Sequence, residues 1–311
     1  MSDEIYAVTL LAIAKWFTDA GVFWLVGVCV FRIVLDQRAS NTALRRESEY
    51  QLIQHGLWAL VVLVLATFAR LYAQTYSSFG LDEPVTAELL WLVADQTRWG
   101  GRWTVQLAAV VFASAVMALV VSRCRWGWRL LAVAAVVVVG TIPMTGHAYA
   151  YIGGFIGAMS LQVGHLLAAG VWIGTLLLLV LIGLRQLFQA PVGQGNLGLG
   201  VLMIRTVDRF SPVALVAAVV LTLTGVLTAV LYVDDFEQLW ETPYGRLLLA
   251  KMGLFGVTAG LGAYNWRMVR PKLAEPGGAK RLRYSATAEL LVAATVLALT
   301  AWLVHLPMPH E

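Results

Sequence analysis

Eight long apolar runs, separated by short polar connections, organise this chain; they centre on residues 7–31, 52–74, 103–122, 129–146, 156–184, 211–232, 246–266 and 285–305. A helix needs about 20 mainly apolar residues to cross a bilayer. In lipid it also satisfies its own backbone donors and acceptors, which an open strand cannot do. The pattern therefore predicts an all-α, polytopic membrane protein, a bundle of eight transmembrane helices. No stretch remains for a folded soluble domain, so residues 1–311 read as a single transmembrane domain. A mean hydropathy of +0.76 and only 13% charged residues agree with that class. The first run follows Asp3 and Glu4 rather than a basic segment and lacks an Ala-x-Ala cleavage site, so it reads as a retained helix.

Polar residues between the runs set the orientation. Alternate connections carry Arg32, Arg38, Arg45 and Arg46; Arg123, Arg125 and Arg129; Arg185, Arg205 and Arg209; and Arg267, Arg270, Lys272, Lys280, Arg281 and Arg283. By the positive-inside rule these face the cytoplasm, which places both termini outside. The opposite connections hold Asp82, Glu83, Glu88 and Asp95, then Asp234, Asp235, Glu237 and Glu241. A net charge of +4 is thus a topological bias, and nucleic-acid binding is not expected. The two cysteines, Cys29 and Cys124, lie towards the inner, reducing side, so no disulfide framework is expected.

Two connections are long. The outer one, Thr75 to Gly101, contains an amphipathic stretch from Pro84 to Trp91 suited to lie on the membrane surface through Leu89, Leu90 and Trp91; its acidic residues could instead guide a cation inwards. The inner one, Gln189 to Gly200, is glycine-rich but lacks the Gly-Lys-Ser/Thr ending of a phosphate loop, and reads as a flexible linker.

Polar side chains within the spans carry the candidate chemistry, because each is costly in hydrocarbon and needs a partner or a wet path. On the fifth helix, Gln162, His165, Ala169 and Trp172 fall within about 80° of one another, forming one narrow stripe. Met159 and His165 should lie about 6 and 15 Å below the outer surface, with Met144 and His147 at the mouth of the fourth helix. The eighth helix ends on the same side with His305, Met308 and His310. Imidazole and thioether ligands together suit Cu(I), whereas carboxylates would suit a harder ion. Candidate metal ligands are therefore His147, His165, Met144, Met159, His305, Met308 and His310, with Cys29 as an inner acceptor. Met144 and Met159 could equally be apolar filler, and His55 near the inner end of the second helix reads as a packing histidine or the end of a path. Lys15 and Asp19 share a helix face as a neutralising pair. Lys251 and Asn265 share a stripe that should face the bundle. Glu289 either pairs with a nearby Arg or His or carries protons.

The run His165-Leu-Leu-Ala-Ala-Gly-Val-Trp-Ile-Gly174, then Arg209-Phe210-Ser211, Leu223-Thr224-Gly225 and Thr242-Pro243-Tyr244-Gly245 ahead of Lys251, Asn265 and Pro271, resembles the copper resistance protein D (CopD) family. The likeness is most specific over 146–311; the first three helices match in layout only. It implies a non-enzymatic protein of the bacterial inner (plasma) membrane, with both termini periplasmic. Its cargo would be a copper ion, Cu(I) or Cu(II), passed from periplasm to cytoplasm in copper resistance and homeostasis. A separate periplasmic copper-binding protein of the CopC type is the implied partner, besides membrane lipid. His165, Trp172, Lys251 and Asn265 match the family pattern, which implies a copper position at His165 and helix-organising roles for Lys251 and Asn265. Stepwise His/Met ligand exchange is the expected mechanism, since weak sequential sites let an ion leave as well as enter. Two other readings fit the same residues: a copper-delivery factor that loads a cuproprotein without translocation, and a membrane haem protein passing electrons. Haem with two histidine ligands needs them at matched depth, and the two within spans, His55 and His165, differ in expected depth.

Overall fold

The computed structural model describes residues 2–35, 42–80, 83–145, 156–184, 195–232 and 237–305. Among them there is no strand. Eight helices are long and apolar enough to cross a membrane: α1 (Glu4–Val34), α2 (Arg46–Phe79), α3 (Arg98–Val121), α4 (Gly127–Thr145), α5 (Ile156–Leu184), α6 (Gly200–Val230), α7 (Pro243–Lys272) and α8 (Gly278–Leu303). The even number of crossings brings the start of α1 and the end of α8 to one face of the bundle, called here the terminal face. Their antiparallel contact is fixed by the Trp16 indole N–H, which donates to the Ala294 carbonyl at 3.2 Å.

The apolar pattern located every crossing, and the observed helices overrun it where polar residues continue a turn. α2 reaches Phe79 because Thr67 and Thr75 hydroxyls bond back to the Leu63 and Leu71 carbonyls and hide their polarity. The acidic outer connection contains a short helix, Ala87–Gln96, started by Thr86, whose hydroxyl accepts from the Leu89 N–H. This helix begins three residues later than the amphipathic stretch expected from Pro84. Its Leu90, Val93 and Ala94 pack on Leu71 and Trp103, while Trp91 is exposed. At the other end of the bundle, the expected linker up to Gly200 is shortened: a helix already runs through Gly195–Tyr232, carried by its Leu, Val and Ile content.

α1 is the central helix, packed against α2, α4, α5 and α8. Its crossing with α5 requires glycine on both sides: a Cβ at Gly27 or at Gly174 would collide with the other helix's backbone. Two apolar clusters flank α1. One joins Leu25, Leu63, Val110, Met117 and Val138 from the first four helices; the other joins Phe31, Trp172, Leu179, Phe210 and Ala286. Wide π turns occur in α5 at Gly170–Gly174 and Leu179–Leu184, and in α7 at Asn265–Val269. Such turns rotate the following residues relative to a regular helix and often occur at functional sites. α6 packs on α5, and α7 packs on α8. Between α6 and α7 lie two cavities. The outward apolar face of α6, including Val216, Val219, Leu223 and Val230, is exposed, as suits a surface solvated by lipid.

Candidate functional site

The cavity nearer the terminal face has a volume of about 230 Å³ and is lined by His165, Trp172, Asp19, Lys251, Phe255 and Thr258, among others. His165 and Lys251 lie about 12 to 14 Å along α5 and α7 from that face, at 1.5 Å per residue. Three residues of the expected α5 stripe, His165, Ala169 and Trp172, face this space; Gln162 does not line it.

His165 is held by its neighbour on α6. Its Nδ1 lies 3.0 Å from Thr224 Oγ1. The Thr224 hydroxyl already donates its single proton to the Val220 carbonyl at 2.7 Å, so towards the ring it can only accept. In the neutral imidazole this arrangement puts the proton on Nδ1 and leaves Nε2 with its lone pair. This is how the second ring nitrogen of a metal-binding histidine is normally secured. Gly225 makes the arrangement possible, since a Cβ there would stand 3.3 Å from His165 Cε1. The Leu223-Thr224-Gly225 motif thus supplies both the anchor and the room for the ring.

A buried charge cluster forms the far wall. Lys15 Nζ bonds both Asp19 oxygens, at 2.5 and 2.7 Å, as the i,i+4 spacing predicts. Asp19 is also within electrostatic reach of Arg70 on α2 and of Lys251 on α7. Arg70 is anchored by the Gln106 side chain of α3 at 3.0 Å. One carboxylate therefore serves three buried cations. The Lys15–Asp19 pair follows from sequence spacing, whereas Arg70 and Gln106 stand on different helices and share no local spacing.

Trp172 lines both cavities, and its ring meets Phe255 of the first edge-on at 6.2 Å between centroids. Beyond it lies the second cavity, about 330 Å³, lined by Glu289, Asn265, Arg267, Phe210 and Ser211, among others. Glu289, 2% exposed, accepts from Trp172 Nε1 at 2.9 Å and from Asn265 Nδ2 at 2.8 Å. Its partners are thus neutral donors, which differs from pairing with Arg or His, one of the two expectations for this residue. Gly262 allows this close set, because a Cβ there would stand 3.2 Å from Trp172 and 3.3 Å from Glu289. Lys251 and Asn265, expected to share an inward stripe, face the first and second cavities respectively.

The remaining candidate ligands are dispersed. Met144 is half-buried in a short turn whose carbonyl accepts from Arg102 at 3.3 Å. Met159 is half-buried on the first turn of α5 and lines neither cavity. His305 is half-buried just past α8. His147, Met308 and His310 lie outside the described residues. Cys29 is packed in the apolar cluster of α1 to α4. His55 lies against Trp24, 5.6 Å between ring centroids, and does not share the His165 cavity. Among the described residues no three His, Cys, Asp or Glu side chains converge on one point. A single anchored imidazole therefore defines the site, not a closed cage.

These features define a polytopic helical membrane protein with a charged cavity inside the bundle that holds one anchored imidazole. The copper resistance protein D-like N-terminal domain matches residues 1–158, and copper resistance protein D matches residues 204–303. The chain belongs to the copper resistance protein D family. It is 27% identical over 266 residues to "Copper resistance protein D" of Pseudomonas syringae pv. tomato, covering 80% of each chain. It is also 32% identical over 167 residues to "Copper transport protein CutJ" of Bacillus subtilis (strain 168). That second match covers 54% of this chain but only 28% of the Bacillus protein. No solved structure matches the chain.

Proposed function

We propose that the protein carries copper across the bacterial inner membrane, from the periplasm to the cytoplasm, by way of His165. The observation that carries this reading is the His165–Thr224 pair: an imidazole held through Nδ1, set within a cavity inside the bundle. One nitrogen ligand holds a copper ion weakly, which suits passage better than storage. The terminal face is the periplasmic one in this reading, supported by the Arg- and Lys-rich connections at the opposite face. Met144, Met159 and His305, together with His147, Met308 and His310 of the adjoining sequence, then serve as collecting ligands, where a periplasmic copper-binding protein of the CopC type would unload. Imidazole and thioether chemistry favours Cu(I) on this route. Transport runs down the copper gradient or is drawn by trapping of copper inside.

The test is copper accumulation in proteoliposomes of known protein orientation, with a copper chelator sealed inside. Accumulation from the terminal-face side supports import. Stoichiometric copper binding without accumulation would instead make the protein a delivery factor.

A further inference from the structure

Glu289 lies in the half of the bundle away from the terminal face, about 16 Å along α8 from its start. Its carboxylate is buried and meets two hydrogen-bond donors, both neutral: the Trp172 indole and the Asn265 amide. Among the described residues no Lys or Arg forms an ion pair with it. The contrast with Asp19 is instructive, since that carboxylate has Lys15 bonded to it and Arg70 and Lys251 within reach. Two buried carboxylates in one membrane protein thus have opposite partners, one bonded to a cation and one bonded to neutral donors.

A second observation comes from the other end of the Asn265 amide. Asn265 is 9% exposed, lines the same cavity, and its Oδ1 is buried without a hydrogen-bond partner. An unsatisfied acceptor beside an unneutralised carboxylate marks a place lacking one positive charge. A proton on Glu289 supplies it. With the amide turned over, the Glu289 hydroxyl donates to Asn265 Oδ1, and the Trp172 bond to the other carboxyl oxygen is kept. A cation in the cavity supplies the same charge differently, and then the proton is no longer needed.

We propose that Glu289 holds a proton while no cation is beside it, and releases that proton when the copper cargo enters the cavity beyond Trp172. One positive charge arrives and one leaves, so the buried charge around Glu289 stays constant as the ion passes. The proton goes from the carboxyl oxygen to water reached through the cavity, and no electron is transferred. The second half of the proposal rests on the transport reading; the first half does not.

Among the described residues, Arg267 is the one other charged group of the surrounding helices that lines this cavity; Arg205 and Arg209 of α6 and Lys280, Arg281 and Arg283 of α8 do not line it. From α1 come Lys15 and Asp19, bonded to each other, and Arg32, paired with Glu49. From α5 comes His165, and from α7 Lys251, both in the other cavity beyond Trp172. Arg267 of α7 shares the Glu289 cavity, but its guanidinium lies over the Trp266 ring at 5.8 Å. Arg270, at the end of α7, pairs with Asp208 of α6.

The test uses the purified full-length protein and its Glu289→Gln variant. Gln has the shape of the protonated carboxyl and keeps an acceptor for Trp172, so the variant should fold. Infrared spectra at neutral pH are expected to show a protonated carboxylic acid band in the wild type that is missing in E289Q. Adding Ag(I), a redox-inert stand-in for Cu(I), should remove that band and release about one proton more from wild type than from E289Q. A wild type with no such band, or equal proton release from both proteins at equal Ag(I) binding, overturns the proposal. Absence of copper accumulation in proteoliposomes, with the infrared band intact, would instead defeat the transport reading and leave the protonated Glu289 standing.

Discussion

Thr224→Val tests how His165 is prepared for copper. The substitution keeps the side-chain shape, removes the hydroxyl that accepts from His165 Nδ1, and leaves the α6 backbone bonds intact. A buried donor left without its partner costs about 1–3 kcal/mol. The ring then gains by rotating, or by moving its proton to Nε2, and either change removes the ligand lone pair from its place. Loss of such an outer partner typically lowers metal affinity about 10–100-fold, and since tenfold corresponds to about 1.4 kcal/mol, the two ranges agree. The assay is competitive Cu(I) titration against a chromophoric chelator, at fixed pH, on purified protein. Thr222→Val is the control: among the described residues that hydroxyl bonds the Ala218 carbonyl and not His165, although Thr222 lines the same cavity. An unchanged affinity in Thr224→Val, or an equal loss in Thr222→Val, would refute the assignment of Nε2 as a prepared ligand.

Asp19→Asn should destabilise the bundle by about 3–5 kcal/mol, because it leaves Lys15, Arg70 and Lys251 without their shared anion. Lys15→Met should cost clearly less, since Asp19 keeps two other cations; thermal unfolding in detergent reads the asymmetry, and equal losses would contradict it. Gly174→Ala should lower the melting temperature sharply, as its Cβ meets the Phe23 carbonyl at the α1–α5 crossing, whereas Gly253→Ala, with nothing nearby, should leave it unchanged. Overpacking of this kind costs about 1–3 kcal/mol. Gly225→Ala should reduce copper binding, because its Cβ would stand 3.3 Å from His165 Cε1 and displace the ring; unchanged binding would contradict this.

The crossings and the inward face of α5 were legible in the sequence because both follow from periodicity: long apolar runs give the spans, and the 3.6-residue turn puts His165, Ala169 and Trp172 on one side. The Lys15–Asp19 pair was legible for the same reason, being one turn apart. What stayed hidden depends on which helices are neighbours. Arg70 reaches the cluster only because α2 packs on α1, and Gln106 only because α3 packs on α2. Thr224 stood in a recognised motif, yet its bond to His165 crosses 59 residues of sequence, with no local signal. Glu289 was noticed as a charge within a span. Its partners were not foreseen, since an indole and an amide carry no charge pattern to match. The two cavities, and Trp172 between them, arise from the gap between α6 and α7, which helix periodicity does not encode.

Copper uptake into oriented proteoliposomes, wild type against His165→Ala, bears most directly on a route through the α5 cavity. The account predicts saturable uptake by the wild type that collapses in His165→Ala, while the variant keeps the wild-type melting temperature. Uptake unchanged by loss of the His165 side chain would contradict it.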